Sequence, residues 1–344
     1  MRVLACWAAL ALAVLAAGAQ LEIYFVDVEG GQATLIVTPA RQSLLVDAGW
    51  PGFQGRDATR IQQAARLAGI EKIDYLLMTH YHLDHVGGIE PLLERIPVAC
   101  LVDHGDNTET GKSAQALSES YRRALAKARR LTVKPGDRIP LRGVEVLVVA
   151  ARGQLIGKPL PGAGRANPYC SQTNRKEDDP TENARSVGFL LRYGRFRFLD
   201  LADLTWNKEL ELVCPVNRVG VVDVYLVNHH GANLSNAPPL VRAIEPRVAI
   251  LNNGAKKGGS PEVLRLLRGL PGLQDLWQLH YSLAASQEEN APADYIANLE
   301  AQCQGHWLKL TADSTGAFVV LNSRTGQSKS YPARQPERPS TRRS

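Results

Sequence analysis

The chain has 344 residues, enough for two domains or one large layered domain. With 44% hydrophobic and 22% charged residues it can bury a substantial core, which excludes a collagen, a coiled coil and a wholly disordered chain. The formal charge of +6 suggests an anionic partner, but six Lys or Arg against one Glu fall within residues 323–344 and Arg2 supplies the remainder, so residues 20–322 are electrically balanced.

Residues 3–17 form an uncharged apolar run behind Arg2, closed by Ala17, Gly18 and Ala19. This pattern predicts a signal peptide over 1–19, cut before Gln20, and an exported protein, periplasmic or extracellular. The run is shorter than the roughly 20 apolar residues of a spanning helix, and no transmembrane segment is expected after its removal. Cys6 would leave with the signal. Cys100, Cys170, Cys214 and Cys303 then permit two disulfides of undetermined pairing, or buried and free thiols.

From Leu21 the runs LEIYFVDV, ATLIVT and SLLVDAG, punctuated by Gly and Pro, predict strands. A helix follows, with Ile61, Ala64, Ala65 and Ala68 on one face, then strand IDYLLMT. Next come a helix at 83–95, a strand at 98–102, a charged helix at 113–130 and a strand at 144–149. Residues 151–183 are rich in Gly, Pro, Asn and charge without periodicity; a loop of this length next to a site is a candidate lid. Strands resume with SVGFLLRY, RFRFLDLA and VVDVYLVN, then alternate with helix through VAILN, PEVLRLLRG and LWQLHYS. Two strands near 307–322 close one catalytic domain spanning 20–322, and residues 323–344 form a basic tail expected to be disordered.

The chemistry concentrates in Thr79-His80-Tyr81-His82-Leu83-Asp84-His85-Val86-Gly87-Gly88, where three of the eight histidines fall within six residues. His80 and His82, two apart on an extended turn, can point the same way, while Asp84 and His85 on a first helical turn can face the same cavity. Such a turn can hold two divalent metal ions. Mixed imidazole and carboxylate donors suit zinc best, and manganese or iron also fit.

These residues match HxHxDH, and the chain resembles the metallo-β-lactamase superfamily across about 20–320. The resemblance implies a four-layer αββα sandwich. Phe25 to Thr34 and the turn Val227-Asn228-His229-His230-Gly231 are similar to the ComEC branch, the hydrolase domain of bacterial DNA-uptake proteins. In the family pattern Asp47 of Leu45-Val46-Asp47-Ala48-Gly49 braces the metal loop, Asp203 bridges the metals, and His229, His230 or both reach the second ion or the substrate. The resemblance thus implies His80, His82, Asp84, His85, Asp203, His229 and His230 as the metal set. The third-motif histidine is missing: His104 is the one histidine between 86 and 203, and Asn183 occupies the expected position. Asn183 is accordingly a residue that supports the metal ligands or contacts substrate, and His104, beside Asp103 and Asp106, is either a substrate contact at the cavity edge or a surface loop residue. Gly258-Gly259-Ser260-Pro261 stands where that branch has Gly-His-Pro, so His280 becomes a candidate in that role, with Asp84 and His230 the other catalytic candidates.

Two ions sharing Asp203 would lower the pKa of a bound water towards about 7 and so promote hydrolysis. The ComEC-like pattern implies phosphodiester bonds, in a small-molecule or polymeric anionic substrate. Nucleic acid fits that class, but a balanced folded region supplies little of the basic surface that phosphate neutralisation requires. The alternatives are an ester, lactone or lactam hydrolase, and a non-catalytic module tethered by the basic tail to an anionic envelope polymer. The absence of a bridging cysteine weakens the β-lactamase reading.

Overall fold

The computed structural model describes residues 20–335, so the expected signal segment lies outside the described residues, as do residues 336–344. The first half of the chain builds β1 (Leu21–Phe25), β2 (Thr34–Val37), β3 (Ser43–Val46), α1 (Arg56–Leu67), β4 (Ile73–Leu77), α2 (Leu83–Val86), α3 (Ile89–Leu93), β5 (Val98–Asp103), α4 (Lys112–Leu125) and β6 (Arg129–Thr132). After β7 (Arg138–Ile139), β8 (Glu145–Ala151) and β9 (Gln154–Leu155) come β10 (Gly188–Tyr193), β11 (Phe196–Asp200) and α5 (Trp206–Val213). The remainder is β12 (Val224–Leu226), α6 (Pro238–Ile244), β13 (Val248–Leu251), α7 (Pro261–Arg268), β14 (Asp275–His280), β15 (Ile296–Asn298), β16 (Leu308–Ala312), β17 (Phe318–Asn322) and β18 (Ser328–Tyr331).

Two mixed sheets result, ordered β18-β17-β16-β1-β2-β3-β4-β5-β6 and β15-β14-β13-β12-β11-β10-β8-β7, with β9 beside β8. Period-2 alternation in the strands assigns each residue to a seam. Leu21, Ile23 and Phe25 of β1 meet Val146, Val148, Phe198, Ile250 and Trp277 between the sheets. The outward residues Tyr24, Leu35 and Val37 pack on Ile61, Ala64 and Ala65 of α1 and on Leu117 of α4. On the far side Leu199, Ala249 and Leu251 pack on Leu212, Leu240 and Leu264 of α5, α6 and α7. Three apolar seams between four layers make this the αββα sandwich that the family resemblance implied.

The expected helix at 83–95 is two short helices. It breaks at Gly87-Gly88, where a Cβ on Gly88 would lie 2.1 Å from the Ala48 carbonyl oxygen, so the backbones meet with no room for a side chain. The helix expected to run to 130 stops at Leu125, and Arg129–Thr132 form an edge strand whose largely exposed charges hid it from pattern reading. The tail is corrected as well: Ser328–Tyr331 pair antiparallel with β17, because Tyr331 is buried. Its ring stacks on Phe318 at 4.7 Å, and its hydroxyl donates to Asp275 Oδ2 at 2.7 Å and accepts from Trp277 Nε1 at 2.9 Å. One apolar residue in a polar, basic run is too weak a signal to read as a strand.

The segment 151–183 is fastened along its length. Ala166 bridges to Val216, Asn167 donates to the carbonyls of Val213 and Pro239 at 3.1 Å, and the Lys176 amide donates to Asn207 Oδ1 at 2.9 Å. A disulfide joins Cys170 to Cys214, while Cys100 and Cys303 are thiols. Among the described residues no helix is long and apolar enough to cross a membrane. Because the disulfide closes a separation of 44 residues, loop-closure entropy gives it about 4 kcal/mol of stability. Urea unfolding with and without reductant, alongside Cys170→Ser, should show a loss of that order; an unchanged midpoint would reject the contribution.

Candidate metal centre

The centre forms where parallel strands of both sheets end, the place where side chains leave the ladder and become available to a ligand. At the end of β3, Asp47 turns with φ 60° and is fully buried. Its carboxylate accepts the Thr79 amide at 2.8 Å, the Thr79 hydroxyl at 2.7 Å and His85 Nδ1 at 2.7 Å. This fixes the turn after β4 and the tautomer of His85, whose Nε2 is left facing the cavity. His82, at the start of α2, bonds Glu109 Oε1 through Nε2 at 2.9 Å and presents Nδ1 at 3.1 Å from His80 Nε2.

The second sheet supplies the opposing groups. After β11 the chain turns through Ala202, φ 50°, to Asp203, and the His229 amide donates to the Ala202 carbonyl at 2.9 Å. His229 and His230 both lie in the left-handed region, φ 52° and 54°, so the two rings escape the opposite-face constraint of a strand. Buried Glu209 holds this turn, accepting Asn228 Nδ2 at 2.6 Å and the amides of Asn236 and Ala237 at 2.8 and 2.7 Å. Burial pushes the Glu209 carboxyl up to about 7.

Asp203 Oδ2 is the focus. It lies 3.3 Å from His85 Nε2, 3.4 Å from the Nε2 atoms of His229 and His230, and 3.9 Å from His80 Nε2. Asp84 Oδ2 lies 3.2 Å from His85 Nε2 and 3.1 Å from His230 Nε2. Burial opposes ionisation of Asp203, yet the imidazoles of His230, His229 and His85 hold it well below the carboxylate range. Burial likewise opposes a charge on His85, and Asp203, Asp84 and Asp47 together outweigh it.

Asp84, His85, Asp203 and His230 each offer a ligand atom within 4.8 Å of one another, a spacing at which a cation could be held. Other observations agree with that fit. Asp203 Oδ1 is buried without a hydrogen-bond partner, and His85 Nε2 faces His230 Nε2 at 3.3 Å, two ring nitrogens converging on one space. His229 also reaches Asp203, but its Nδ1 is engaged with Ser235 Oγ at 3.2 Å, whereas His230 faces both carboxylates.

The structure separates the remaining candidates. Asn183 is buried with its Oδ1 unpartnered, and Val187, four residues on, donates its amide to the Thr79 carbonyl at 2.9 Å. His104 is neither at a cavity edge nor on the surface; it is buried and bonds Glu182 Oε2 at 2.9 Å. His280 does not join the cluster. Its Nε2 bonds Asp27 Oδ1 at 2.8 Å and lies 3.9 Å from Cys303 Sγ, and Arg60 already neutralises Asp27 at 2.9 Å. Because Asp27 and Cys303 meet the same ring nitrogen, this group lacks the relay of a nucleophilic triad and instead ties the end of β14 to that of β1. Two neighbours carried no sequence signal: Glu109, from a polar loop, and Lys257, whose ammonium contacts Asp84 and lies 4.7 Å from the Trp50 ring centroid.

Residues 26–172 match the profile of the metallo-beta-lactamase superfamily. Over 246 residues the chain is 21% identical to ComE operon protein 3 of Bacillus subtilis (strain 168), covering 68% of this chain and 28% of that protein. It is 30% identical over 99 residues to coenzyme F420H(2) oxidase of Methanothermobacter marburgensis, covering 29% and 23%. The chain therefore spans less than a third of either relative's length. Among solved structures it is similar to the metallo-beta-lactamase fold protein YhfI from Bacillus subtilis, with TM-score 0.46, 10% identity and coverage of 75% and 96%. The profile match encloses the HxHxDH turn and its Asp47 brace, so residues 26–172 are similar to the metallo-beta-lactamase superfamily.

Proposed function

We propose that this protein is an exported, metal-dependent hydrolase that cleaves phosphodiester bonds. The observation that carries the reading is the single oxygen Asp203 Oδ2, which lies 3.9 Å from His80 Nε2, 3.3 Å from His85 Nε2 and 3.4 Å from His230 Nε2. A carboxylate so placed suits two divalent ions. His80, His82 and Asp203 would hold one; Asp84, His85, His230 and Asp203 would hold the other, with zinc the best match to these donors and manganese or iron compatible. Bound there, the ions would acidify a water and neutralise charge developing on the substrate's oxygens.

The chain's own residues do the rest. Asp47 keeps His85 in the tautomer that offers Nε2. Asn183 brings a neutral carboxamide where the family pattern has a third imidazole, so the first position is the more weakly donating. Lys257 at the mouth, with 38% of its side chain exposed, brings a cation to meet an anionic substrate oxygen, and Trp50 lies beneath it as a wall. An Asp in the bridging role and a cation at the mouth favour a phosphodiester over a lactam. The Cys170–Cys214 disulfide suits an oxidising compartment, in keeping with the signal pattern before Gln20.

Protein purified without added metal is expected to carry about two ions per chain; Asp203→Asn should lower the content of both positions in elemental analysis, and a chain that takes up no zinc or manganese would overturn the reading. Asp47→Ala should weaken metal affinity about 10–100-fold in chelator competition while the fold survives by circular dichroism. On chromogenic substrates, bis(p-nitrophenyl) phosphate should be hydrolysed, lost on chelation and restored by metal. Turnover confined to nitrocefin or p-nitrophenyl acetate would replace phosphodiester cleavage with lactam or ester cleavage.

A further inference from the structure

A second group of metal-type donors stands apart from the centre. Asp27, two residues beyond β1, His280, the last residue of β14, and Cys303, in the loop between β15 and β16, offer a carboxylate oxygen, a ring nitrogen and a sulfur that all lie within 4.8 Å of one another. Among the described residues this is the one such group outside the Asp203 cluster. Asp27 and His280 are fully buried and Cys303 is half-buried, so the group opens to solvent on the sulfur side.

The three donors converge on one point. His280 Nε2 lies 2.8 Å from Asp27 Oδ1 and 3.9 Å from Cys303 Sγ, and the sulfur lies 3.1 Å from Asp27 Oδ2. Bonds of about 2.0–2.3 Å in a tetrahedral zinc site set the ligand atoms about 3.3–3.6 Å apart, so shifts of about 0.5 Å would seat an ion among the three. The convergence that denies this group a proton relay is the arrangement a cation requires. Glu29 Oε1, 3.8 Å from the sulfur, puts a fourth donor within reach.

Each donor is held from outside the group. The His280 amide donates to Asn253 Oδ1 at 3.3 Å, and Asn253 Nδ2 donates to the His280 carbonyl at 2.8 Å. Asn298 closes the Cys303 loop, with bonds of 2.9 Å to both the amide and the carbonyl of His306. Arg60 holds Asp27 Oδ2 through Nη1 at 2.9 Å, and its Nη2 lies 3.4 Å from the sulfur. In this ion-pair network the cations Arg56 and Arg60 face the three carboxylates of Asp27, Glu29 and Asp57, which leaves one negative charge in excess. A divalent ion that takes the place of the thiol proton, with that proton released to solvent, adds one positive charge and brings the network to neutrality.

We propose that Asp27, His280 and Cys303 form an accessory zinc site, separate from the metal centre and independent of the proposed hydrolysis. A thiolate with an imidazole and a carboxylate selects zinc, and the soft sulfur disfavours magnesium, calcium and manganese. Because the Arg60 cation stands beside two of the three donors, the site fills when zinc is supplied, in addition to the ions of the centre. Once bound, the ion joins the end of the first strand to the end of β14 and to the loop before β16, which meet there through side-chain hydrogen bonds.

The test is titration of the disulfide-intact protein with cobalt(II), a spectroscopic substitute for zinc. The donors of the metal centre include no sulfur, so a thiolate-to-cobalt charge-transfer band in the near ultraviolet reports the accessory site alone. The band is expected to saturate in the wild type and in Asp203→Asn, to be displaced by zinc, and to be lost in Cys303→Ser with circular dichroism unchanged. His280→Gln, which keeps the sulfur, should lower the cobalt affinity at least about tenfold. On the unsubstituted chain, zinc should suppress alkylation of Cys303 by iodoacetamide, read by peptide mass spectrometry, which needs no variant to fold. No band in the wild type, a band that survives Cys303→Ser or disappears in Asp203→Asn, an affinity unchanged in His280→Gln, or alkylation at equal rates with and without zinc would overturn the site.

Discussion

The site depends on one buried carboxylate that never reaches its cavity. Asp47, sealed from solvent, accepts three hydrogen bonds from the turn after β4 and from His85. A charge in that position is tolerable because every bond it accepts is short and directed. Its effect is to make the HxHxDH turn rigid, so that rings two to five residues apart in sequence hold fixed positions in space. Glu209 does the corresponding work in the second sheet, where three N–H groups converge on it from the turn that displays His229 and His230. Both halves of the centre are therefore built alike: a strand ends, a buried acid organises the turn, and histidines emerge.

Sheet polarity divides the labour. Carboxylates and imidazoles gather at the carboxyl ends of β4, β11 and β12, where negative charge concentrates around Asp203 and Asp84. At the amino ends of β11 and β13, Asp223 accepts the Arg197 amide and pairs with Arg247 and Arg334. The second sheet therefore carries Asp203 and the His229–His230 turn at one end of its strands and an Arg–Asp223 cluster at the other, joined by strands whose interiors are apolar.

Much of this was legible because it is contiguous. HxHxDH occupies six residues, the strand runs alternate cleanly, and Asp203 follows an apolar strand in the family's pattern. What was hidden arises from tertiary approach. Glu109 reaches His82 from a loop with no periodicity, and Lys257 reaches Asp84 across the two sheets. His280 was misplaced for the same reason, since the end of a strand does not reveal which of two neighbouring polar clusters its side chain will join. Composition misled at the tail, where Lys329 and the serines of β18 concealed Tyr331, the residue that bonds Trp277 and Asp275 across the seam.

The pairing of β1 has a consequence for how the molecule forms. Leu21 faces Ala312 across one ladder while its neighbour Glu22 faces Val37 across the other, so the first strand is completed both by its nearest successor and by one of the last. Contacts so distant in sequence must close a very long loop before they contribute, and such topologies fold slowly. The inner seam stays open on the β1 side until β16 has arrived. A nascent chain therefore exposes Leu21, Ile23 and Phe25 for most of its synthesis, and the sandwich closes late, from its two ends together.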